Sequence, residues 1–137
     1  MLVHAVAYLV TAVVLLILDV IWLSVAAGVL YRPYLAPLLR DGFDPVAAVL
    51  FYVIYVAGIV AFVISPKLGD SRRWAVTARG AFFGLVAYAT YDLTNQATLR
   101  DWSIVVTVAD LCWGTFLTAV AATAGHAAAA GGRLAFC

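Results

Sequence analysis

The sequence predicts an all-α, polytopic membrane protein built as a bundle of four transmembrane helices. Of its 137 residues, 66% are hydrophobic and only 11% are charged, and the mean hydropathy is +1.07. About a quarter of the residues of a soluble domain are charged. A soluble fold of this length could not bury so much apolar surface, so the solvent around most of the chain must be lipid.

Polar and helix-breaking residues divide the apolar sequence into four runs. Each run has the roughly 20 residues that a helix needs to cross a bilayer. We predict helices over residues 3–30, 45–64, 74–95 and 102–124, within a single transmembrane domain that covers residues 1–137.

Proline and interfacial aromatic residues mark the predicted helix ends. The sequence Tyr31-Arg32-Pro33-Tyr34 is expected to end the first helix, and Ser65-Pro66 is expected to stop the second. Asp44-Pro45 is typical of a helix start, with Asp as the N-cap and Pro at the first helical position. Trp74 and Trp102 are expected to anchor the third and fourth helices at the membrane interface.

The distribution of Lys and Arg predicts the orientation, because cytoplasmic loops carry the excess of these residues. The N-terminus, the middle loop and the C-terminus share one side of the predicted topology. Five basic residues lie on that side: Lys67, Arg72, Arg73, Arg79 and Arg133. Three lie on the other: Arg32, Arg40 and Arg100. We therefore predict that both termini lie in the cytoplasm.

Three aspartates lie inside apolar runs, at positions 19, 92 and 110. An Asp at the centre of a membrane helix costs about 2.5–3.5 kcal/mol on insertion scales. Lipid offers no hydrogen-bonding partner, so each carboxyl group must find one inside the bundle. At ~1.5 Å of rise per residue, all three fall in the outer half of the bilayer, and we expect them to converge in one polar centre.

Aromatic and amide side chains recur beside these aspartates. Asp19-Val20-Ile21-Trp22 is matched by Asp110-Leu111-Cys112-Trp113, and Tyr52 to Tyr55 is matched by Tyr88 to Tyr91. The order of these pairs is not that of a duplicated hairpin, so we interpret them as recurring site chemistry. The candidate ligand-binding or proton-relay residues are Asp19, Trp22, Tyr52, Tyr55, Tyr88, Tyr91, Asp92, Asn95, Asp110 and Trp113.

Other chemistries find little support in the sequence. Cys112 and Cys137 have neither metal-ligand spacing nor a disulfide framework, and His4 and His126 lie far from the aspartates along the predicted spans. There is no nucleophile–base pair, metal motif or nucleotide loop, so no catalytic residue or cofactor can be named. The net charge of +1 argues against a nucleic-acid partner.

The pattern across nearly the whole chain resembles a known family. Its residues are Leu18-Asp19-x-x-Trp22-Leu23, Tyr91-Asp92-Leu93-Thr94-Asn95-x-Ala97-Thr98-Leu99-x-x-Trp102 and Asp110-x-x-Trp113-Gly114. Together they resemble the predicted membrane proteins of domain-of-unknown-function family 2177. Ser103 departs from the Pro expected after Trp102. The resemblance implies a bacterial four-helix membrane protein and no particular reaction. We expect the protein in the inner (plasma) membrane.

Two classes of function remain open. In the first, Asp19, Asp92 and Asp110 form a pocket that binds a small or lipidic molecule or relays protons, with tyrosines orienting the ligand and tryptophans walling it. An enzyme of this class would carry out acid–base isomerisation or transfer on a lipid. In the second, the protein is an accessory subunit of a larger membrane complex, and its polar residues only lock the helices together. The expected partners are therefore the bilayer, a lipidic small molecule or other membrane subunits.

Overall fold

The computed structural model describes residues 1–135, with the backbone alone for residues 133–135. Within this range the chain forms four long helices and no strand: α1 (Leu2–Leu38), α2 (Pro45–Lys67), α3 (Arg73–Thr98) and α4 (Ile104–Ala135). The predicted all-α, four-helix architecture is confirmed. Cys137 and the side chain of Arg133 lie outside the described residues.

Three of the helices are long and apolar enough to cross a membrane: α1, α2 and, over Ile104–Gly132, α4. The fourth, α3, has 26 residues but carries Arg73, Arg79 and Asp92, which lower its hydropathy. It makes its most extensive packing contacts with α4. We attribute its place in the bundle to this packing, because its composition alone does not select it as a span.

The first helix continues beyond its predicted end at residues 31–34. Its α-helical part, Leu2–Ala26, passes into a π-helical turn at Ala27–Tyr31, then an α-turn and a final 3-10 turn that ends at Leu38. Pro33 lies in the first positions of that α-turn, where its missing N–H is tolerated. The prediction that Pro33 ends the helix was wrong because the π turn changes the hydrogen-bond register before the proline.

The second helix begins where the sequence predicts. The side chain of Asp44 accepts hydrogen bonds from the backbone N–H groups of Val46 (2.9 Å) and Ala47 (3.2 Å), which satisfies two of the free donors at the helix start. A π turn at Ile59–Ile64 again precedes a proline, and the helix closes with a 3-10 turn at Ser65–Lys67.

Small residues bring α3 and α4 into close contact. Gly80 and Gly84 are both buried on the face of α3 that meets α4. A Cβ atom added at Gly80 would lie 3.0 Å from the Cβ atom of Ala122, and one added at Gly84 would lie 2.6 Å from Oγ1 of Thr118. Gly80 and Gly84 therefore allow the two helices to pack closely within the chain.

Apolar side chains fill the centre of the bundle and also cover its outside. Leu15, Ile59 and Leu117 are fully buried. In contrast, Ile54 and Phe82 are each 67% exposed, as expected for side chains that face lipid.

An ion-pair cluster closes the turn between α2 and α3. The Arg72 guanidinium donates to both carboxylate oxygens of Asp70 at 3.1 Å, and the Lys67 ammonium lies 3.6 Å away. The hydrogen bond from Arg72 is the main cause that holds the pKa of Asp70 well below its usual range.

Candidate functional site

Asp19 lies at a junction of three helices. It is on α1 and is 7% exposed. The Tyr52 hydroxyl on α2 donates to Oδ2 of Asp19, and Nε1 of Trp113 on α4 donates to Oδ1 at 3.2 Å. Because each carboxylate oxygen has a donor, Asp19 ties α1, α2 and α4 together as a satisfied buried acceptor.

Asp110 is bound by Tyr31, which the sequence marks only as an aromatic residue near a helix end. The Tyr31 hydroxyl donates to Oδ1 of Asp110 and accepts a hydrogen bond from Nε1 of Trp22 at 2.9 Å. Tyr31 lies nine positions after Trp22, which on a regular α-helix places it on the opposite face. The wider π turn at Ala27–Tyr31 changes that facing and directs Tyr31 into the bundle. No feature of the sequence signalled this turn.

The two Asp-x-x-Trp sequences brace each other across α1 and α4. The indole rings of Trp22 and Trp113 stack with centroids 4.7 Å apart and an interplanar angle of 7°. Trp113 donates to Asp19 of the other sequence, and Trp22 reaches Asp110 of the other sequence through Tyr31. The repeated spacing thus forms one cross-linked aromatic and carboxyl network.

Asp92 is fully buried and has no hydrogen-bond donor among the described groups. Its carboxyl group lies against that of Asp110. An ionised carboxylate is only an acceptor, so two carboxyl groups can form a hydrogen bond only when one of them carries a proton. Two neighbouring buried carboxyl groups repel each other when both are ionised.

Asn95 does not provide the missing donor. It was expected to act as a polar neighbour of Asp92, one turn along the same helix face. Instead its side chain lies beside Tyr91, while both oxygens of Asp92 stay without a partner. The ring of Tyr91 also meets Trp102 edge to face, with centroids 5.7 Å apart, so Tyr91 lies at the outer edge of the site.

The remaining tyrosines line the space between α2, α3 and α4. The Tyr55 hydroxyl bonds Oγ1 of Thr118 at 2.6 Å and not a carboxyl group. The ring of Tyr88 lies directly on Gly114, where an added Cβ would approach Cε2 of Tyr88 to 2.7 Å. The rings of Tyr55 and Tyr88 then meet edge to face, with centroids 6.4 Å apart.

A cavity of about 410 Å³ opens next to this aromatic wall and is lined by Phe51, Ala87, Tyr88, Tyr91 and Asp110. Phe51 and Tyr91 are 46% and 59% exposed, so the cavity reaches the lipid-facing surface between α2 and α3. Asp110 is the charged residue in its lining. Phe51 was not predicted, because nothing in the sequence distinguishes it from any other lipid-facing phenylalanine.

This arrangement has two parts with different chemistry. Around Asp19, every oxygen is occupied by a protein donor, which suits a structural role. Around Asp110 and Asp92, the two carboxyl groups lie next to each other, Asp92 has no donor among the described groups, and Asp110 lines the apolar cavity. The second part can accept a hydrogen bond or a proton from a molecule that enters from the bilayer.

Comparison with known proteins agrees with the membrane assignment. A family model described as "Predicted membrane protein (DUF2177)" matches residues 4–127, a range that contains the whole carboxyl and aromatic network. The chain matches no curated protein and no solved structure.

Proposed function

The chain belongs to the DUF2177 family of predicted membrane proteins, and we propose that it binds a lipid-soluble molecule whose polar head donates a hydrogen bond or a proton to Asp110. One observation carries this proposal. Asp110 is the charged group in a cavity of about 410 Å³ that is otherwise lined by Phe51, Ala87, Tyr88 and Tyr91.

The size and lining of the cavity suit an amphipathic ligand. Ligand sites typically occupy about 300–1,000 Å³ and combine apolar walls with a few polar groups. Here the walls are aromatic and the polar group is a carboxyl, which accepts hydrogen bonds. The complementary head is therefore an amine, a hydroxyl or another donor attached to an apolar body.

Asp92 adds a second carboxyl group, which can hold a proton, to the hydrogen-bond acceptor Asp110. Its carboxyl group lies against that of Asp110 and has no donor of its own. A proton held between the two groups removes their mutual repulsion when the cavity is empty. When a donor head binds Asp110, that proton can stay on Asp92. A protonated head, such as an ammonium, can then give its proton to the ionised Asp110 and become neutral, and in this way the pair exchanges a proton with its ligand.

The proposal extends to the setting of the protein. We place it in the bacterial inner membrane with several spans and both termini in the cytoplasm, which is supported by the basic residues Lys67, Arg72, Arg73 and Arg79 at one end of the bundle. The polar centre then lies in the outer half of the bilayer. Its partners are the bilayer itself and the lipidic ligand.

The test is native mass spectrometry of the protein purified from its membrane in mild detergent. We expect a bound small molecule on the wild type and its loss in Asp110→Asn. The matched control is Asp41→Asn, the same chemical change at an exposed position, which should retain the molecule.

Retention of the same mass in Asp110→Asn at wild-type occupancy would overturn the proposal. Absence of any small molecule, together with co-purification of a second membrane protein, would instead support an accessory subunit whose carboxyl network only locks the helices.

A further inference from the structure

We propose a second binding site, for an anionic phospholipid, in the groove between α2 and α3 at the end of the bundle near the turn at residues 67–72. Arg79 would bind the phosphate, and an acyl chain would lie along the apolar groove beside it. This site is separate from the carboxyl cavity and does not depend on the function proposed for it.

Arg79 is an exposed cation with unused hydrogen-bonding capacity. One of its terminal nitrogens, Nη2, donates to the backbone carbonyl of Phe62 at 2.9 Å. A guanidinium has five N–H donors, so this bond occupies only part of the group. Among the described residues, the ion pairs join Arg40, Lys67 and Arg72 to aspartates and do not include Arg79. Its positive charge is therefore available to an anion.

The groove beside Arg79 has a volume of about 400 Å³ and is lined by Phe62, Val63, Arg79, Phe82, Phe83 and Val86. Apart from Arg79, every lining residue is apolar. The rings of Phe62 and Phe83 stack across the floor, with centroids 6.3 Å apart and an interplanar angle of 26°. Phe62 and Phe82 are 65% and 67% exposed, so the groove is open along its length.

The order of charge and apolar surface matches that of a phospholipid. Arg79 lies about 9 Å along α3 from its start at Arg73, at ~1.5 Å of rise per residue, and its long side chain can extend toward the membrane surface. Phe82, Phe83 and Val86 follow at spacings of three, four and seven, so they share its face of the helix and lie deeper. A headgroup at Arg79 would thus continue into a chain along the aromatic residues.

The charge selects the class of lipid. Arg73 and Arg79 both carry positive charge at this end of α3, while the nearby Asp70 is already bound by Arg72 and Lys67. An anionic headgroup gains about fivefold in affinity from each basic residue near the surface. A zwitterionic headgroup of the same size gains much less. The occupant is therefore an anionic phospholipid.

The experiment uses the full-length protein, stripped of lipid in detergent and then exposed to an equimolar mixture of phosphatidylglycerol and phosphatidylcholine. Native mass spectrometry counts the two adducts on each molecule. We expect the wild type to retain phosphatidylglycerol preferentially and Arg79→Gln to lose about fivefold of that preference. Glutamine removes the charge and keeps a side-chain N–H donor. The control is Arg100→Gln, about 30 Å away at the other end of α3, which should behave like the wild type.

Two outcomes would overturn the proposal. One is equal retention of the two lipids by the wild type, which would show by itself that the protein does not prefer the anionic lipid. The other is an unchanged preference in Arg79→Gln, which would mean that Arg79 serves only to bind the Phe62 carbonyl. Should Arg79→Gln not fold, Arg79→Lys tests the same point, because it retains the charge and must retain the preference.

Discussion

Asp19 and Asp110 have the same local sequence and different surroundings. Each is followed three positions later by a tryptophan, and each is nearly buried, at 7% and 6% exposure. Asp19 receives donors on both oxygens, from Tyr52 and Trp113. Asp110 receives one donor, from Tyr31, and faces a second carboxyl group and a cavity. The two aspartates therefore differ in how many protein donors they receive and in whether they reach a cavity.

This difference predicts opposite results for the same substitution. In Asp19→Asn, the amide oxygen must face Trp113, because an indole N–H can only donate. The amide NH₂ group then faces Tyr52, and the Tyr52 hydroxyl proton is left without an acceptor. This loss should destabilise the fold by about 1–3 kcal/mol. In Asp110→Asn, the amide can accept from Tyr31 and donate to Asp92, so stability should stay near that of the wild type while ligand retention is lost. Thermal unfolding in detergent, paired with native mass spectrometry, measures both effects. A stable Asp19→Asn that loses the ligand, beside an Asp110→Asn that unfolds early, would reverse the assignment.

Asp70 makes the stability of the turn between α2 and α3 depend on pH. Its pKa in the folded protein is lowered, chiefly by the hydrogen bond from Arg72. A carboxyl group with a lowered pKa stabilises the fold above its unfolded pKa of about 4, and this contribution disappears as the pH falls through the folded value. We expect an NMR titration of the Asp70 carboxyl in detergent micelles to have its midpoint clearly below 4, and the midpoint should return toward 4 in Arg72→Gln. A midpoint unaffected by that substitution would contradict this account.

At the scale of helices, two π turns place a side chain and a backbone carbonyl where they contact other helices. The turn at Ala27–Tyr31 directs Tyr31 to Asp110, and the turn at Ile59–Ile64 contains the Phe62 carbonyl that Arg79 binds. Each turn precedes a proline, at Pro33 and Pro66. Such turns are frequent at functional sites, and here each one lies at a proposed binding site.

The close approach of α3 and α4 predicts a sharp difference among the glycines. A Cβ atom at Gly84 would lie 2.6 Å from Oγ1 of Thr118, whereas one at Gly28 would meet no atom within 4 Å. We expect Gly84→Ala to lower the free energy of unfolding by about 1–3 kcal/mol and Gly28→Ala to leave it nearly unchanged. Chemical unfolding in mixed micelles would measure the two variants side by side. A Gly84→Ala variant as stable as Gly28→Ala would show that α3 and α4 can separate at little cost in free energy.

For the whole molecule, the sequence was sufficient for the architecture and for most of the polar network. Composition required lipid as solvent, and the cost of buried carboxyl groups predicted that Asp19, Asp92 and Asp110 would converge. In the structure Asp92 lies next to Asp110, and Asp19 is connected to Asp110 through Trp113, Trp22 and Tyr31. Tyr31 and Phe51 could not be predicted, because the facing of Tyr31 depends on a π turn and the role of Phe51 depends on a cavity between helices. Periodicity based on a regular α-helix contains neither kind of information.

The order of the helices also predicts the side of the membrane on which each loop lies. In the proposed four-span topology, Gly42 and Gly69 lie in successive loops on opposite sides of the membrane. With both native cysteines replaced by serine, we expect Gly69→Cys to be protected from a membrane-impermeant thiol reagent in intact cells and Gly42→Cys to react. The two positions are well matched, because a Cβ atom added at either glycine would meet no atom within 4 Å. Reaction of both cysteines from outside would mean that α2 does not cross the bilayer.

The stacked indoles of Trp22 and Trp113 have a consequence for proton movement, because they lie between the hydrogen bonds of the two carboxyl centres. An indole N–H can donate but cannot accept, so protons cannot pass along the hydrogen bonds that lead from Tyr31 to Trp22 or from Asp19 to Trp113. In the function proposed above, the Asp92–Asp110 pair exchanges protons only through the cavity that Asp110 lines. Vesicles reconstituted with the protein should show no proton conductance above that of empty vesicles. A conductance that Asp19→Asn abolishes would instead show that current passes the stack.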